Sequence, residues 1–322
     1  MARNHARRDR SRTVESRSER GSMLPFAPML SAQTRGAFRE QAGRRSAIGL
    51  LTEAIQDVMS RRRLIFYLVR ADMKKRGTDT LLGNLWWILD PLLQMAVYVF
   101  FIALISRHNT PNYPLFVMAA ILPWKWFTAA VTDSTTSVVR QAGLIRQIAF
   151  PKIVLPLAAA TSEVVGFVWG LVPLAGLLLL DAQRISIQLL WIPVIAAVQF
   201  VFTVAMSLLV SAGNAFFRDL GNVAGHTLRL WWLLSPGLYS LQMLDDLSIV
   251  QHNPILKVIF VVNPFATLFE SYRRVIYGTP DGGLPIAPDL LALALVLLGS
   301  ILFLAVSALV FKRLEPEFAK VL

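Results

Sequence analysis

The chain has 322 residues, 55% of them hydrophobic, a formal net charge of +12 and no cysteine. The absence of cysteine excludes disulfides, thiol catalysis and thiolate metal sites, and the four histidines (His5, His108, His226, His252) show no ligand spacing. A mean hydropathy of +0.54 points to a polytopic membrane protein with no room for a soluble catalytic domain.

Residues 1–83 hold 18 of the 32 Lys/Arg against 8 of the 20 Asp/Glu. Ahead of apolar spans, such an excess places this arm in the cytoplasm. It has no charged n-region followed by a short apolar core and cleavage site, so no cleaved signal peptide is expected. Residues 1–49, rich in Arg, Ser and Gly, lack hydrophobic periodicity and read as a disordered basic tail. Residues 50–83 read as an amphipathic interface helix with a connector. Leu51, Ile55, Val58, Ile65, Val69 and Met73 fall at helical spacing, with Arg62 intruding at one step, and Arg63, Tyr67, Arg70 and Lys74 lie opposite. The same pattern suits a helix packed on a partner protein, and the two readings are compatible. Gly77 can end the helix.

Six apolar stretches follow, at about 84–105, 115–139, 154–180, 188–212, 223–243 and 289–311. Each reaches the roughly 20 residues needed to cross a bilayer core of about 30 Å. Arg140, Arg146 and Lys152 make the connection after the second stretch basic, and Lys312, Arg313 and Lys320 outweigh Glu315 and Glu317 in the tail. Arg218 and Asp219 cancel after the fourth. Residues 254–277 are apolar enough to suggest another span, but Asn263-Pro264 cuts the run and Glu270, Arg273 and Arg274 crowd its second half. Halves of eight or nine residues reach only about 13 Å. The expected fold class is therefore all-α integral membrane, with six transmembrane helices and both termini cytoplasmic. An extracellular re-entrant pair of half-helices lies between the fifth and sixth spans, and 84–322 forms one transmembrane domain.

The chemistry begins with absences. No GxxxxGK[ST] loop, HExxH or GxSxG motif occurs, and Asp245-Asp246 reads as a solvated turn rather than a metal site. Ionisable residues inside spans mark function by default. Asp133, in a Thr132–Ser137 polar run, faces either a wet cavity or subunit interface, or solvent near the cytoplasmic surface. Glu163 reads as a structural hydrogen bond to a neighbouring helix, and Asp90 as part of the Asp-Pro turn into the first span. Trp86, Trp124, Trp126, Phe127 and Tyr98 are membrane anchors taken singly, yet aromatic faces also stack on the apolar faces of sugars. Thr128, Thr132 and Thr136 repeat every four residues along one stripe of the second span. Together with Asp133 and those aromatics they form a candidate substrate path. The alternative is that the threonines bond back to their own helix.

Taken in order, residues 50–322 resemble the ABC-2 type permeases that export polysaccharides. The likeness rests on Leu82, Gly83, Trp86, Pro91 and Leu92 at the first span, and on Leu144, Ile145, Arg146, Phe150-Pro151, Leu155 and Pro156 around a segment at 142–152. It continues with Phe217-Arg218-Asp219, Ser235-Pro236, Asn263-Pro264, Tyr272-Arg273, Phe311–Pro316 and Phe318-Ala319. The resemblance implies a channel-forming transport subunit, not an enzyme, in the bacterial inner (cytoplasmic) membrane. It would export a lipid-linked polysaccharide of O-antigen (lipopolysaccharide) or teichoic acid type on an undecaprenyl-type carrier. It further implies a homodimer joined to two copies of an ABC ATPase, which bind ATP and Mg, while this chain binds no cofactor, metal or nucleic acid. Leu144, Ile145, Arg146, Ile148 and Phe150 would couple to the ATPase, with Arg63, Arg70 and Lys74 on the interface helix and Asn263, Pro264, Tyr272 and Arg273 in the outer hairpin. An ABC-2 exporter of a drug or small lipid is an alternative. A membrane glycosyltransferase is another, for which only Asp133, Glu163 and Asp245-Asp246 could supply carboxylates. Sugar identity is not encoded by stacking faces.

Overall fold

The computed structural model describes residues 46–77, 82–105, 111–148, 150–239, 262–279 and 283–321, and among these described residues no β-strand occurs. Residues 1–45 of the expected tail and 254–261 of the expected hairpin lie outside them.

Two helices, not one, form the amphipathic segment: α1 (Ala47–Ser60) and α2 (Arg62–Gly77). They part at Arg61, whose N–H still donates to the Asp57 carbonyl. The one intruder in the apolar spacing, Arg62, thus falls at the break. The break sends the helices to different neighbours: α1 packs on the last helix of the chain and α2 on the third long one. A 3-10 turn at Gly83–Leu85 leads into α3 (Trp86–Ile105), followed by α4 (Tyr113–Arg140) and a short α5 (Ala142–Gln147). Pro151 keeps α5 from merging with α6 (Val154–Leu180). Then come α7 (Ile192–Phe216), α8 (Leu220–Leu234), α9 (Pro264–Ile276) and α10 (Leu290–Val321).

Among the described residues, five segments are long and apolar enough to cross a membrane: Trp86–Leu104, Tyr113–Arg140, Val154–Leu180, Ile187–Phe216 and Leu290–Phe318. The stretch expected as the fifth span is, as far as it is described, the 15-residue α8 followed by a turn at Ser235–Gly237. At 1.5 Å per residue α8 measures about 22 Å, short of the hydrocarbon core.

Helix α4 is the centre of the bundle. It packs against α3, α6, α7, α8 and α9, and its residues from Leu115 to Trp124 are buried without a break. This burial explains how a span can carry Ser134, Thr135 and Ser137: each hydroxyl donates to a carbonyl, Ser134 to Pro156 of α6 at 3.1 Å. The α7–α10 contact is rich in buried small residues, Ala205, Ser211 and Ala212 on one helix and Ser300, Ser307 and Ala308 on the other, which let backbones approach closely. Helix α3 is the opposite case, with Leu93, Val97, Phe100, Phe101 and Leu104 exposed.

Polar clamps hold the ends. Lys312 of α10 sits 2.7 Å from Asp57 and 3.1 Å from Glu53 of α1, and 2.7 Å from Glu315 of its own helix. Glu315 in turn accepts the Lys152 N–H at 2.5 Å, joining α1, α10 and the start of α6. At the other end of α4, Tyr113 donates to the Leu238 carbonyl at 3.0 Å and Tyr277 to the Pro111 carbonyl at 2.7 Å. Arg184, buried, donates to the Tyr277 carbonyl and pairs with Asp181 at 2.7 Å.

Helix α9 is fastened by its own charge. Asn263 accepts from the Phe265 N–H at 3.0 Å and from the Trp231 indole at 3.1 Å, and donates to Ser235 at 2.7 Å. Arg273, only 2% exposed, lies 3.8 Å over the Phe116 ring and donates to the carbonyls of Pro236 (2.6 Å), Gly237 (2.5 Å) and Tyr239 (3.0 Å). These carbonyls follow the end of α8, where no intrahelical donor remains. Replacing Arg273 with Leu should leave them unsatisfied, at about 1–3 kcal/mol each. Thermal unfolding of the purified protein in detergent should then fall by several degrees, with Arg273→Lys intermediate. A Leu variant as stable as wild type would show that the turn does not need the clamp.

Candidate functional site

The polar run of α4 opens onto a cavity of about 710 Å³. Thr128, Thr132 and Asp133 form one wall, Asp90, Gln94 and Tyr98 of α3 a second, and Leu228, Arg229 and Trp232 of α8 a third. Arg76 from α2 and Glu163 from α6 close it. A smaller space of about 210 Å³ shares Arg76, Asp90, Lys125 and Glu163 and extends beside Trp87, Trp126 and Phe167.

The carboxylates at this cavity have cationic partners. The Arg76 guanidinium pairs through one nitrogen with both Asp133 and Glu163, and its Nε lies 3.0 Å from Asp72, one turn back on α2. The Glu163 contact is an ion pair rather than an aligned hydrogen bond. Lys125 pairs with Asp90. Arg140 adds a bond to the Asp133 backbone carbonyl at 3.0 Å. Isolated charges are expensive in a low-dielectric site, whereas paired ones are retained. Burial works against the Arg76 charge, but Glu163, Asp133 and Asp72 outweigh it and its pKa is raised.

The expected path residues separate into two groups. Tyr98, Trp124, Thr128, Thr132 and Asp133 line the larger cavity. Tyr98 stacks on Trp232 with ring centroids 5.9 Å apart, and Trp124, almost fully buried, borders the cavity while its ring packs on Phe265 at 4.8 Å. Phe127, at 0% exposure, is instead enclosed by Phe202, Phe265 and Trp231, a core position rather than a lining one. Trp126 packs on Phe167 at 4.9 Å and borders only the smaller space. Trp86 is exposed at the start of α3, away from both spaces, as an interfacial anchor would be. The threonine stripe divides as well. Thr128 bonds back to the Trp124 and Lys125 carbonyls at 3.0 and 3.1 Å while still reaching the cavity, and Thr136 bonds back to Asp133 at 3.4 Å outside it.

Of the expected coupling residues, Ile145 is buried in the chain's own core, Leu144 and Phe150 are half-buried, and Arg146 and Ile148 are exposed. On α2, Arg63, Arg70 and Lys74 face outward. Asn263, Tyr272 and Arg273 are buried where α9 meets α4 and α8, with Pro264 half-buried. Arg76 was missed by reasoning on the apolar spacing. Its signal was the presence of three carboxylates in the interior of the expected spans, Asp90, Asp133 and Glu163, against two cations there, Lys125 and Arg229.

No family model matches the chain. It is 30% identical over 266 residues to the O-antigen export system permease protein RfbA of Myxococcus xanthus, a match covering 83% of this chain and 98% of that protein. The chain belongs to the O-antigen export permease family. Two Klebsiella pneumoniae proteins of the same name are 32% identical over 213 residues (66% of this permease, 79% of that protein) and 28% identical over 265 (80% and 95%). Family and apolar helices together make the permease a multi-pass membrane protein.

If Arg76 holds Asp133 and Glu163, Arg76→Met should cost about 1.5–3 kcal/mol, the range for hydrogen bonds to charged groups. The unfolding midpoint should drop, and adding Glu163→Gln should recover part of the loss. Equal midpoints for Arg76→Met and wild type would mean that the pairing contributes nothing.

Proposed function

We propose that this permease is the transmembrane, channel-forming subunit of an ATP-driven ABC exporter that carries a lipid-linked polysaccharide of O-antigen type out of the cytoplasm. The observation behind this reading is the match along 98% of an O-antigen export permease. The cavity suits such a cargo. Tyr98 and the margins of Trp124 and Trp232 offer aromatic contacts, its threonines and Gln94 offer exchangeable hydrogen bonds, and Arg76, Lys125 and Arg229 balance Asp90, Asp133 and Glu163. A wall without net charge holds no ionised group tightly, so a long polymer can slide along it.

The working unit in this proposal is a homodimer with two copies of an ABC ATPase that binds ATP and Mg, in the bacterial inner membrane. Both termini are cytoplasmic, α8 belongs to the fifth of six spans, and α9 is the returning half of an outer re-entrant pair. The apolar stripe of α3 gives the second copy a surface, and the cavity then opens toward the dimer axis.

Energy enters through α5 and the residues after it. Ile148 is 54% exposed, so Ile148→Asp should leave the fold intact, whereas Ile145→Asp would also disturb the core. Ile148→Asp should weaken co-purification of the ATPase by about tenfold or more, or ~1.4 kcal/mol. Undiminished co-purification and export would move the coupling contact elsewhere.

The path can be probed because the chain has no cysteine of its own. Bulky thiol reagents on Thr128→Cys or Thr132→Cys should stop export while ATP hydrolysis continues, and the same reagents on Trp86→Cys should not. Full export with both positions labelled would remove this face of α4 from the path.

A further inference from the structure

A second groove, of about 450 Å³, lies beneath α1, between α6, α7 and α10. Its lining is Ala, Ile, Leu, Met, Phe and Val throughout. Along α7 it runs from Leu208 to Phe200 and along α10 from Ala308 to Ile301, about 12 Å of helix rise. Its lip is open: Ile55 and Met59 of α1 remain 63% and 62% exposed.

One end of the groove is marked by charge. Lys312, one turn beyond Ala308, carries the cluster with Glu53 and Asp57. Lys152 directly precedes the lining residue Ile153, and Arg61, Arg62 and Arg63 follow Met59 with a single residue between. All three arginine side chains are exposed, and no carboxylate among the described residues pairs with them. The surface therefore combines an apolar shaft running along the spans with three unpaired arginines that follow its α1 wall, beside the Lys312 cluster.

We propose that this groove holds an acyl chain of an anionic phospholipid whose phosphate rests against Arg61, Arg62 and Arg63. A hydrocarbon chain is the occupant that asks nothing of an all-apolar wall, because an extended peptide segment would bring N–H and C=O groups that the lining cannot satisfy. Basic residues at a membrane surface select negative headgroups over zwitterionic ones, and three adjacent arginines without internal partners supply that selection. The bound lipid seals α1 onto α6, α7 and α10. The site stands on the groove and its charges alone, apart from the polar cavity, so it is independent of the transported cargo.

The test uses the full-length permease in vesicles of phosphatidylcholine and phosphatidylglycerol, each lipid supplied in turn with a photoreactive group on one acyl chain. Crosslinks should map to residues 51–59, 200–208 and 301–308. Phosphatidylglycerol should label them at least about fivefold more than phosphatidylcholine, the effect expected of one basic residue at an anionic lipid surface. Ala305→Trp, which fills the groove, should abolish this labelling. The exposed triple variant Arg61→Gln, Arg62→Gln, Arg63→Gln, which leaves the packing untouched, should bring phosphatidylglycerol down to the phosphatidylcholine level. Equal labelling by the two lipids in the wild type would overturn the proposal, as would crosslinks spread evenly over all the spans. Displacement of the phosphatidylglycerol probe by an equal amount of polyprenyl phosphate would also overturn it, assigning the groove to an isoprenoid carrier instead.

Discussion

A carboxylate placed within a membrane span must meet a cation close by, because the hydrocarbon offers neither water nor a stray hydrogen bond to hold its charge. In this permease Asp90 of α3 meets Lys125 of α4, whereas for Asp133 and Glu163 the cation comes from outside the spans. Arg76 arrives on an amphipathic helix and bridges Asp133 of α4 and Glu163 of α6. The contact adds to the apolar packing of Leu64, Ile65 and Leu68 and places Arg76 at the cavity wall. Had the cation come from a neighbouring span, the pair would have drawn two helices together. Supplied by α2, it joins an amphipathic helix to the polar space between the spans.

The aromatic residues obey a similar division. Trp124, Phe127, Phe202, Trp231 and Phe265 pack edge to face around the middle of α4, within the centroid spacing that aromatic pairs prefer. Most of their surface is used to hold α4, α7, α8 and α9 together. What reaches the cavity is the margin of that cluster, Trp124 and the stacked Tyr98 and Trp232. An aromatic ring on a packed core keeps its orientation.

Charge also fixes the two ends of the bundle. Lys312, Glu315, Glu53 and Asp57 bind α1 to α10 and reach the backbone of Lys152, just beyond the α5 segment. At the opposite end, Arg273 and Arg184 serve as carbonyl clamps for turns that no helix can satisfy. Guanidinium groups suit this role because their several planar N–H donors address more than one carbonyl at once.

Length and hydropathy by themselves determined the class of protein and where five of its long apolar helices lie, because the bilayer sets a minimum length and forbids unpaired backbone. They did not show that the stretch at 223–243 holds a helix of only 15 residues among those described. The same reading marked Asp133 and Glu163 as costly, and the ordered likeness along residues 50–322 pointed to the family. It did not show that the amphipathic segment breaks at Arg61. A one-residue fault in helical spacing looks like a tolerated intruder until two separate packing surfaces are seen. Nor did it separate Phe127, a core residue, from Trp124, which borders the cavity, or Ile145 from Ile148. Neighbouring apolar residues are equivalent in composition and periodicity, and only the arrangement of the other helices decides which of them is covered. The partner of the span carboxylates was likewise a tertiary fact: Arg76 lies 57 residues from Asp133 along the chain, and no local pattern records a charge pair that forms only when α2 comes to rest against α6.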